Sequence, residues 1–137
     1  MQETKKEIAL CEMSGAALAY LGDAVFEVMV RNYLVGQGIG DAGKLNALSL
    51  EYVKATKQSK GLERILPHLS EEEEAVYRRG RNAAGAHPKS ASVTEYRRAT
   101  GLEALFGYLY RKGEHARLAE LFSLYVEENA HDENEAK

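Results

Sequence analysis

The sequence is almost without cysteine, since Cys11 is the only one among 137 residues. A single thiol excludes an internal disulfide and any zinc site built from several cysteines, and we expect Cys11 to be a small, semi-buried side chain. No apolar run approaches the roughly 20 residues that a membrane-spanning helix needs. The segment 1–12 is charged and has no signal-peptide core, so the sequence predicts a cytoplasmic protein.

Proline is also scarce, with only Pro67 and Pro88. No segment alternates apolar and polar residues in the way of a half-buried strand. The sequence therefore predicts an all-α fold, and its length favours one domain. The predicted helices cover about 15–35, 42–59, 62–66, a segment that begins at 71 after the cap Ser70, 93–111 and 114–128, with a loop over 81–92.

Two acidic residues, Asp23 and Glu103, stand in apolar runs that have helical periodicity. A carboxylate buried among such neighbours is costly unless it is paired, protonated or bound to a metal ion. Gly22 and Gly107 would let two helices approach each other closely. If those helices pack side by side, the two acids converge, and the pair becomes a candidate site.

Two interpretations of the acid pair stay open from composition and spacing. Carboxylates suit magnesium, which keeps several water ligands and completes its octahedron with substrate phosphate. Such an ion can activate water and offset negative charge at a phosphorus centre. The alternative is that each acid forms a structural ion pair with a base such as Arg31 or Arg98. Glu27 lies four residues before Arg31, an arrangement that favours a salt bridge over a ligand role.

Basic residues are unevenly distributed along a chain whose formal net charge is −3. Between residues 78 and 98 they outnumber the single acid, Glu95, and charge segregation of this kind indicates a binding surface. Arginine, asparagine and lysine side chains around the predicted loop are equipped to hold phosphates. Arginines at a helix C-terminus also complement the helix dipole, so a purely structural role for these arginines remains an alternative. The candidate phosphate-binding residues are Arg78, Arg79, Arg81, Asn82 and Lys89.

Three segments in this order resemble the ribonuclease III family. Segment 18–27 resembles the signature helix of its catalytic domain, and segment 102–109 resembles its second acidic helix. Segment 71–83 is similar to a characteristic stretch of one subgroup, the Mini-ribonuclease III proteins. The resemblance covers about residues 13–127.

The resemblance implies an all-α ribonuclease III-like endonuclease domain that works as a symmetric homodimer. It implies cleavage of double-stranded RNA by metal-dependent phosphodiester hydrolysis, with Asp23 and Glu103 as catalytic and metal-binding residues. Magnesium is the expected ion, and manganese is able to substitute for it. Products would carry 5′-phosphates, and the expected substrate is a stem of the precursor of 23S ribosomal RNA. For the dimer, the apolar first helix could pair with its symmetry mate or be buried within one chain.

The chain departs from the ribonuclease III pattern in two respects. Ala19 and Thr100 stand where that family has further acids, and both residues fit the pattern of the subgroup. We therefore expect a reduced site in which water and RNA phosphate complete the metal coordination. We also expect no double-stranded-RNA-binding domain after the catalytic domain, where ribonuclease III normally has one. We therefore expect the dimer surface, chiefly the basic loop, to bind RNA weakly and with strong salt dependence.

These observations predict a charged arm over 1–12, a ribonuclease III catalytic domain over 13–128 and a disordered acidic tail over 129–137. The rival hypothesis is a dimeric protein that binds structured RNA without cutting it. It is kept because half of the family's acids are missing. A second rival, an all-α phosphohydrolase acting on nucleotides, lacks the expected cluster of histidines and aspartates.

Overall fold

The computed structural model describes residues 8–85 and 92–136, and the side chains of these residues except at 55 and 128–136. There is no strand in these ranges, which confirms the all-α prediction. No helix in the described part of the chain is long and apolar enough to cross a membrane. The helices are α1 (Gly15–Gly36), α2 (Ala42–Val53), α3 (Ala55–Ile65), α4 (Glu71–Ala83), α5 (Val93–Lys112) and α6 (His115–Ala136), with 3-10 turns at Leu10–Glu12 and Leu66–His68.

Polar side chains cap the beginnings of four helices, as their sequence positions favour. The hydroxyl of Ser14 accepts a hydrogen bond from the backbone at the start of α1, and Asp41 and Ser92 do the same for α2 and α5. Ser70 and Glu73 form a reciprocal capping box at the start of α4. The acidic first turn of α4 is thus accounted for by helix capping and the helix dipole.

The central helix is α5, which packs against α1, α3 and α4. Its residues from Leu102 to Leu109 are buried apart from the partly buried Glu103. The ring of Phe26 from α1 meets Phe106 of α5 edge to face, with centroids 5.5 Å apart, and lies 4.9 Å from the ring centroid of Tyr125 in α6. This aromatic cluster joins α1, α5 and α6 in the core.

Helices α1 and α5 cross in backbone contact. A Cβ atom at Gly22 would lie 1.6 Å from the carbonyl oxygen of Glu103, and one at Gly107 would lie 2.0 Å from the carbonyl oxygen of Leu18. No side chain fits either position, so glycine is required there. The expectation that Gly22 and Gly107 let two helices approach closely is confirmed.

Several predicted boundaries were wrong. The helix predicted over 42–59 is two helices, because Lys54 takes an extended conformation with φ −63° and ψ 143° between them, and α3 absorbs the short helix predicted over 62–66. Tertiary packing decides this break, since α3 turns onto α5 and α6. Helix α4 continues to Ala83, so the predicted loop begins after that residue.

The two ends of the chain also differ from the expectations. Helix α6 runs on to Ala136, beyond the end predicted at 128. Cys11 is exposed rather than semi-buried, because it lies on the 3-10 turn that precedes α1, outside the core.

Candidate active site

Asp23 of α1 and Glu103 of α5 line the same cavity, of about 250 Å³. The backbone contact between the two helices brings the acids together, because Asp23 follows Gly22 directly and the carbonyl of Glu103 abuts that glycine. The predicted convergence of the two acids is therefore confirmed. The cavity is completed by Ala16, Ala19, Tyr20, Ala83, Ala84, Gly85, Tyr96 and Thr100.

The two acids differ in exposure, in a way that corrects the sequence interpretation. Asp23 is exposed, although apolar residues flank it in the sequence. It lies one turn from the buried Ala19 and Phe26, at the edge of the face of α1 that packs against α5. Glu103 is the partly buried acid, beneath the exposed carboxylate of Asp23. The burial cost of a carboxylate in this pair therefore falls mainly on Glu103.

Burial raises the pKa of Glu103 from its ordinary value of 4.5 to about 8, and the neighbouring charge of Asp23 adds to the rise. A hydrogen bond between the two carboxyl groups acts in the same direction, while a hydrogen bond with Gln58 opposes it. At neutral pH Glu103 therefore keeps its proton, because the described residues that line the cavity include no positive charge to stabilise the carboxylate. A cation bound between the acids would supply that charge.

The bases considered as ion-pair partners of the acids are engaged elsewhere. Arg31 donates to Glu27 at 3.0 Å, which confirms the predicted i,i+4 salt bridge. Arg98 donates to the carbonyl of Ser59 at 3.2 Å and lies 3.6 Å from the carboxylate of Glu63. The structure therefore gives no support to Arg31 or Arg98 as structural partners of Asp23 and Glu103.

The two positions at which the further acids of the resembled family are missing also line the cavity. Ala19 is buried, and the hydroxyl of Thr100 donates to the carbonyl of Tyr96 at 3.0 Å. In the described part of the chain no three histidine, cysteine or acidic residues are grouped to hold a metal ion. Asp23 and Glu103 fit magnesium, which takes one or two protein carboxylates and fills its other positions with water and phosphate.

Four of the candidate phosphate-binding residues lie in the C-terminal half of α4, the helix whose end lines the cavity. Arg78 is exposed and 3.2 Å from Glu74, whereas the guanidinium of Arg79 donates to the carbonyl of Met13. The guanidinium of Arg81 lies over the ring of Tyr77, 5.6 Å from its centroid. Asn82 is exposed, its side-chain oxygen 3.4 Å from the Nε of Arg81. Lys89 lies outside the described residues, and the C-terminal end of α4 reaches the cavity through Ala83, Ala84 and Gly85.

Sequence reasoning missed Gln58, a buried residue of α3 whose side chain hydrogen-bonds Glu103. Its neighbours in the sequence are Lys57 and Ser59, with further lysines at 54 and 60, and such a polar stretch indicates a solvated helix face. The stretch carries no periodic signal that singles out one buried amide. Only the turn of α3 onto α5 reveals its position.

Comparisons with known proteins show which family this chain resembles. The Ribonuclease III domain family matches residues 16–114. A Mini-ribonuclease 3 from Desulfitobacterium hafniense (strain Y51) is 46% identical over 126 residues, covering 92% of this chain and 80% of that protein. Another, from Symbiobacterium thermophilum, is 49% identical over 105 residues, or 76% of this chain and 81% of the relative. The crystal structure of a Fusobacterium nucleatum protein, 31% identical, superposes with a TM-score of 0.77 over 85% of this chain and 95% of that one.

Proposed function

We propose a function on the premise that this chain belongs to the ribonuclease III family, within its Mini-ribonuclease 3 group. The protein is an endoribonuclease that hydrolyses phosphodiester bonds of double-stranded RNA. The observation that carries this proposal is the convergence of Asp23 and Glu103 in one cavity. Without that convergence, family membership would leave open whether this chain retains a site able to cut RNA.

In this proposal Asp23 and Glu103 hold a divalent cation, which is magnesium, with manganese as a substitute. A divalent ion in such a site activates water and stabilises the charge that develops on phosphate. Glu103 supplies a carboxylate held from below by α3 and α5, and Asp23 supplies one that faces solvent and arriving substrate. The small side chains of Ala16 and Ala19 leave room for a phosphodiester backbone to reach the two acids.

Residues of α4 and of the sequence segment that follows it would bind the RNA duplex. Proteins recognise double-stranded RNA mainly through its shape, phosphates and 2′-hydroxyl groups. Arg78 and Asn82 are exposed on α4, and Arg81 is partly exposed near them. We assign the phosphates of the duplex to Arg78, Arg79, Arg81, Asn82 and Lys89, with Arg79 also tying α4 to the segment before α1.

The working form of the protein in this proposal is a symmetric homodimer. Helix α1 exposes an apolar surface that the core of one chain leaves uncovered, with Val28 at 65% exposure, and Tyr110 of α5 is 47% exposed. Both line a groove of about 310 Å³ together with Leu21, Ala24, Val25, Met29, His115 and Leu118. Two copies joined there would each present one cavity, and each cavity would cut one strand.

The natural substrate that we propose is a stem of the 23S ribosomal RNA precursor in the cytoplasm, cut to leave 5′-phosphates. Residues 13–128 would form the catalytic domain, between an N-terminal arm over 1–12 and an acidic tail over 129–137. The relatives' name supports a role in RNA cleavage, and mapping of cut sites on a precursor ribosomal RNA stem would test the choice of substrate.

Substitution of either acid tests the proposed activity. We expect Asp23→Asn and Glu103→Gln each to lower cleavage of a labelled RNA duplex in magnesium buffer by roughly 100-fold or more, the scale for removing one charge-stabilising group from an active site. Glu27→Gln is the matched control, since Glu27 is an acid of the same helix that pairs with Arg31, and it should cleave at the wild-type rate. Undiminished cleavage by Asp23→Asn would refute the proposal.

The rival function, binding of structured RNA without cleavage, predicts a different result in the same assay. This rival stays open because Asp23 and Glu103 are the only acids among the described residues that line the cavity, where Ala19 and Thr100 offer no carboxylate. The rival predicts that the duplex is bound and stays intact with magnesium and with chelator alike. Competition by free nucleotides would instead point to a phosphohydrolase.

A further inference from the structure

A buried amide reaches the acid pair from a third helix. Gln58 lies in the first turn of α3 and is 2% exposed. Its side chain hydrogen-bonds the carboxyl group of Glu103, which is also hydrogen-bonded to Asp23. One carboxyl group of α5 is therefore held between partners from α1 and α3.

Packing alone does not account for a glutamine at this position. Gln58, Leu62 and Ile65 follow one another at helical spacing and form the buried stripe of α3, where the other two are fully buried and apolar. An apolar residue would fill the stripe without cost, whereas a buried amide costs about 1–3 kcal/mol unless it is hydrogen-bonded. The hydrogen bond to Glu103 is thus the reason that the amide is tolerated.

The break at Lys54 puts this amide in place. The extended conformation of Lys54 ends α2 and starts α3, and the backbone N–H of Gln58 donates to the carbonyl of Lys54 at 2.9 Å. This short corner lets α3 leave the direction of α2 and pack against α5. The side chain of Gln58 then lies on the packed face, one turn into the helix.

We propose that Gln58 is a positioning residue that holds the Glu103 carboxylate in the orientation needed to bind the divalent cation. The proposal rests on the function proposed above. Side-chain chemistry favours glutamine for this task, because its amide donates to a carboxylate and carries no charge. A lysine or arginine would neutralise Glu103 and compete with the cation. A second carboxylate would repel the carboxylate of Glu103.

Direct metal binding tests the proposal without relying on activity. Gln58→Met keeps the length of the side chain and removes its hydrogen-bond donor. We expect the dissociation constant for Mn²⁺, measured by isothermal titration calorimetry, to rise about 10- to 100-fold, the usual effect of losing a group that orients a metal ligand. Cleavage should recover in part at high metal concentration. Ser49→Ala is the matched control, because Ser49 is a buried polar residue of α2 outside the cavity, and it should leave the constant unchanged.

A double-mutant cycle separates positioning from a merely structural role. If Gln58 acts through Glu103, Gln58→Met should cause no further loss of cleavage in the Glu103→Gln background, since coupled residues are not additive. A purely structural role would lower the melting temperature and leave the Mn²⁺ affinity within about twofold of the wild type. Either that affinity or an additive loss in the cycle would overturn the proposal.

Two further outcomes are distinguishable. If Gln58→Met does not fold, Gln58→Asn replaces it, since asparagine keeps the amide but is one methylene too short to reach Glu103, and the same rise in dissociation constant is expected. A wild-type protein that neither binds Mn²⁺ nor cuts duplex RNA would overturn the proposed function itself. A wild-type protein that does both, beside a Gln58→Met variant that binds equally well, would overturn the role of Gln58 alone.

Discussion

Glu103 is a residue whose protonation couples the stability of the fold to pH. Its pKa is about 8 in the folded protein against an ordinary value of 4.5. The folded state therefore holds this proton more tightly than the unfolded chain does, and protonated Glu103 favours folding. That contribution is fully present below pH 4.5 and is lost as the pH rises to about 8.

For the metal-free protein we predict a melting temperature that falls as the pH rises through the interval from 4.5 to about 8. The free energy of unfolding loses at most about 1.4 kcal/mol for each pH unit, the value of one proton. Thermal unfolding in chelator, followed by circular dichroism, measures the slope. Glu103→Gln should remove most of the slope, and magnesium should restore stability at the upper end of the interval. A slope that is unchanged in Glu103→Gln would assign it to other groups.

At this scale the sequence predicts the acids but not their surroundings. Asp23 and Glu103 were found because a carboxylate in an apolar run is chemically unusual. The same reasoning wrongly buried Asp23, since apolar neighbours in a helix can face two different surfaces. Gln58 was not found, because a glutamine among lysines carries no such contrast and its burial depends on how α3 packs.

The crossing of α1 and α5 is the element-scale feature on which the site depends. We predict that Gly22→Ala separates the helices, because the added Cβ would lie 1.6 Å from a backbone oxygen that cannot rotate away. The free energy of unfolding should fall by about 3 kcal/mol or more, and RNA cleavage should be lost with it. Denaturant titration measures the first effect.

Gly36→Ala is the matched control on the same helix. A Cβ at Gly36 meets nothing within 4 Å, so the change in stability should stay within about 0.5 kcal/mol of zero or favour the folded state slightly. A Gly22→Ala variant as stable as Gly36→Ala would contradict the close crossing.

Helix beginnings were predictable because capping residues mark them, as Ser14, Ser70 and Ser92 do. Helix ends and the break at Lys54 were not. The stretch around Lys54 contains neither glycine nor proline, so local propensity favours one continuous helix. The break follows from burial of Leu62 and Ile65 against the rest of the core, which is a property of the assembled molecule.

At the scale of the whole molecule, the exposed apolar surface of α1 leads to a prediction about assembly. Val28→Lys should convert a dimer into a monomer, since it places a charge in the groove proposed as the contact. Val35→Lys is the matched control, because Val35 is 60% exposed on the same helix but lines a different groove, next to Arg31. Light scattering during size-exclusion chromatography gives the molar mass of each. A dimeric Val28→Lys variant would exclude this surface as the interface.

The overall architecture was predictable because apolar periodicity, caps and scarce prolines agree along the chain. The pattern was ambiguous at Val28, which continues the helical spacing of Leu18, Leu21 and Val25 although it is exposed. In the sequence of a helix with two apolar faces, the apolar residues form one wide stripe. Their periodicity does not show which face packs against the core. The core face and the face proposed for assembly became separate only when α1 was placed against α5.

The contact of Gly22 with the backbone of Glu103 has a consequence for how this protein tolerates change. The distance between the two acids is set by contact between the backbones of α1 and α5, and not by the size of any side chain. We therefore expect substitutions in the aromatic core around Phe26 and Phe106 to alter stability without changing the distance between the two acids. Core side chains can therefore change in evolution more freely than Gly22 and Gly107, whose backbone contacts set the distance between the two acids of the proposed catalytic site.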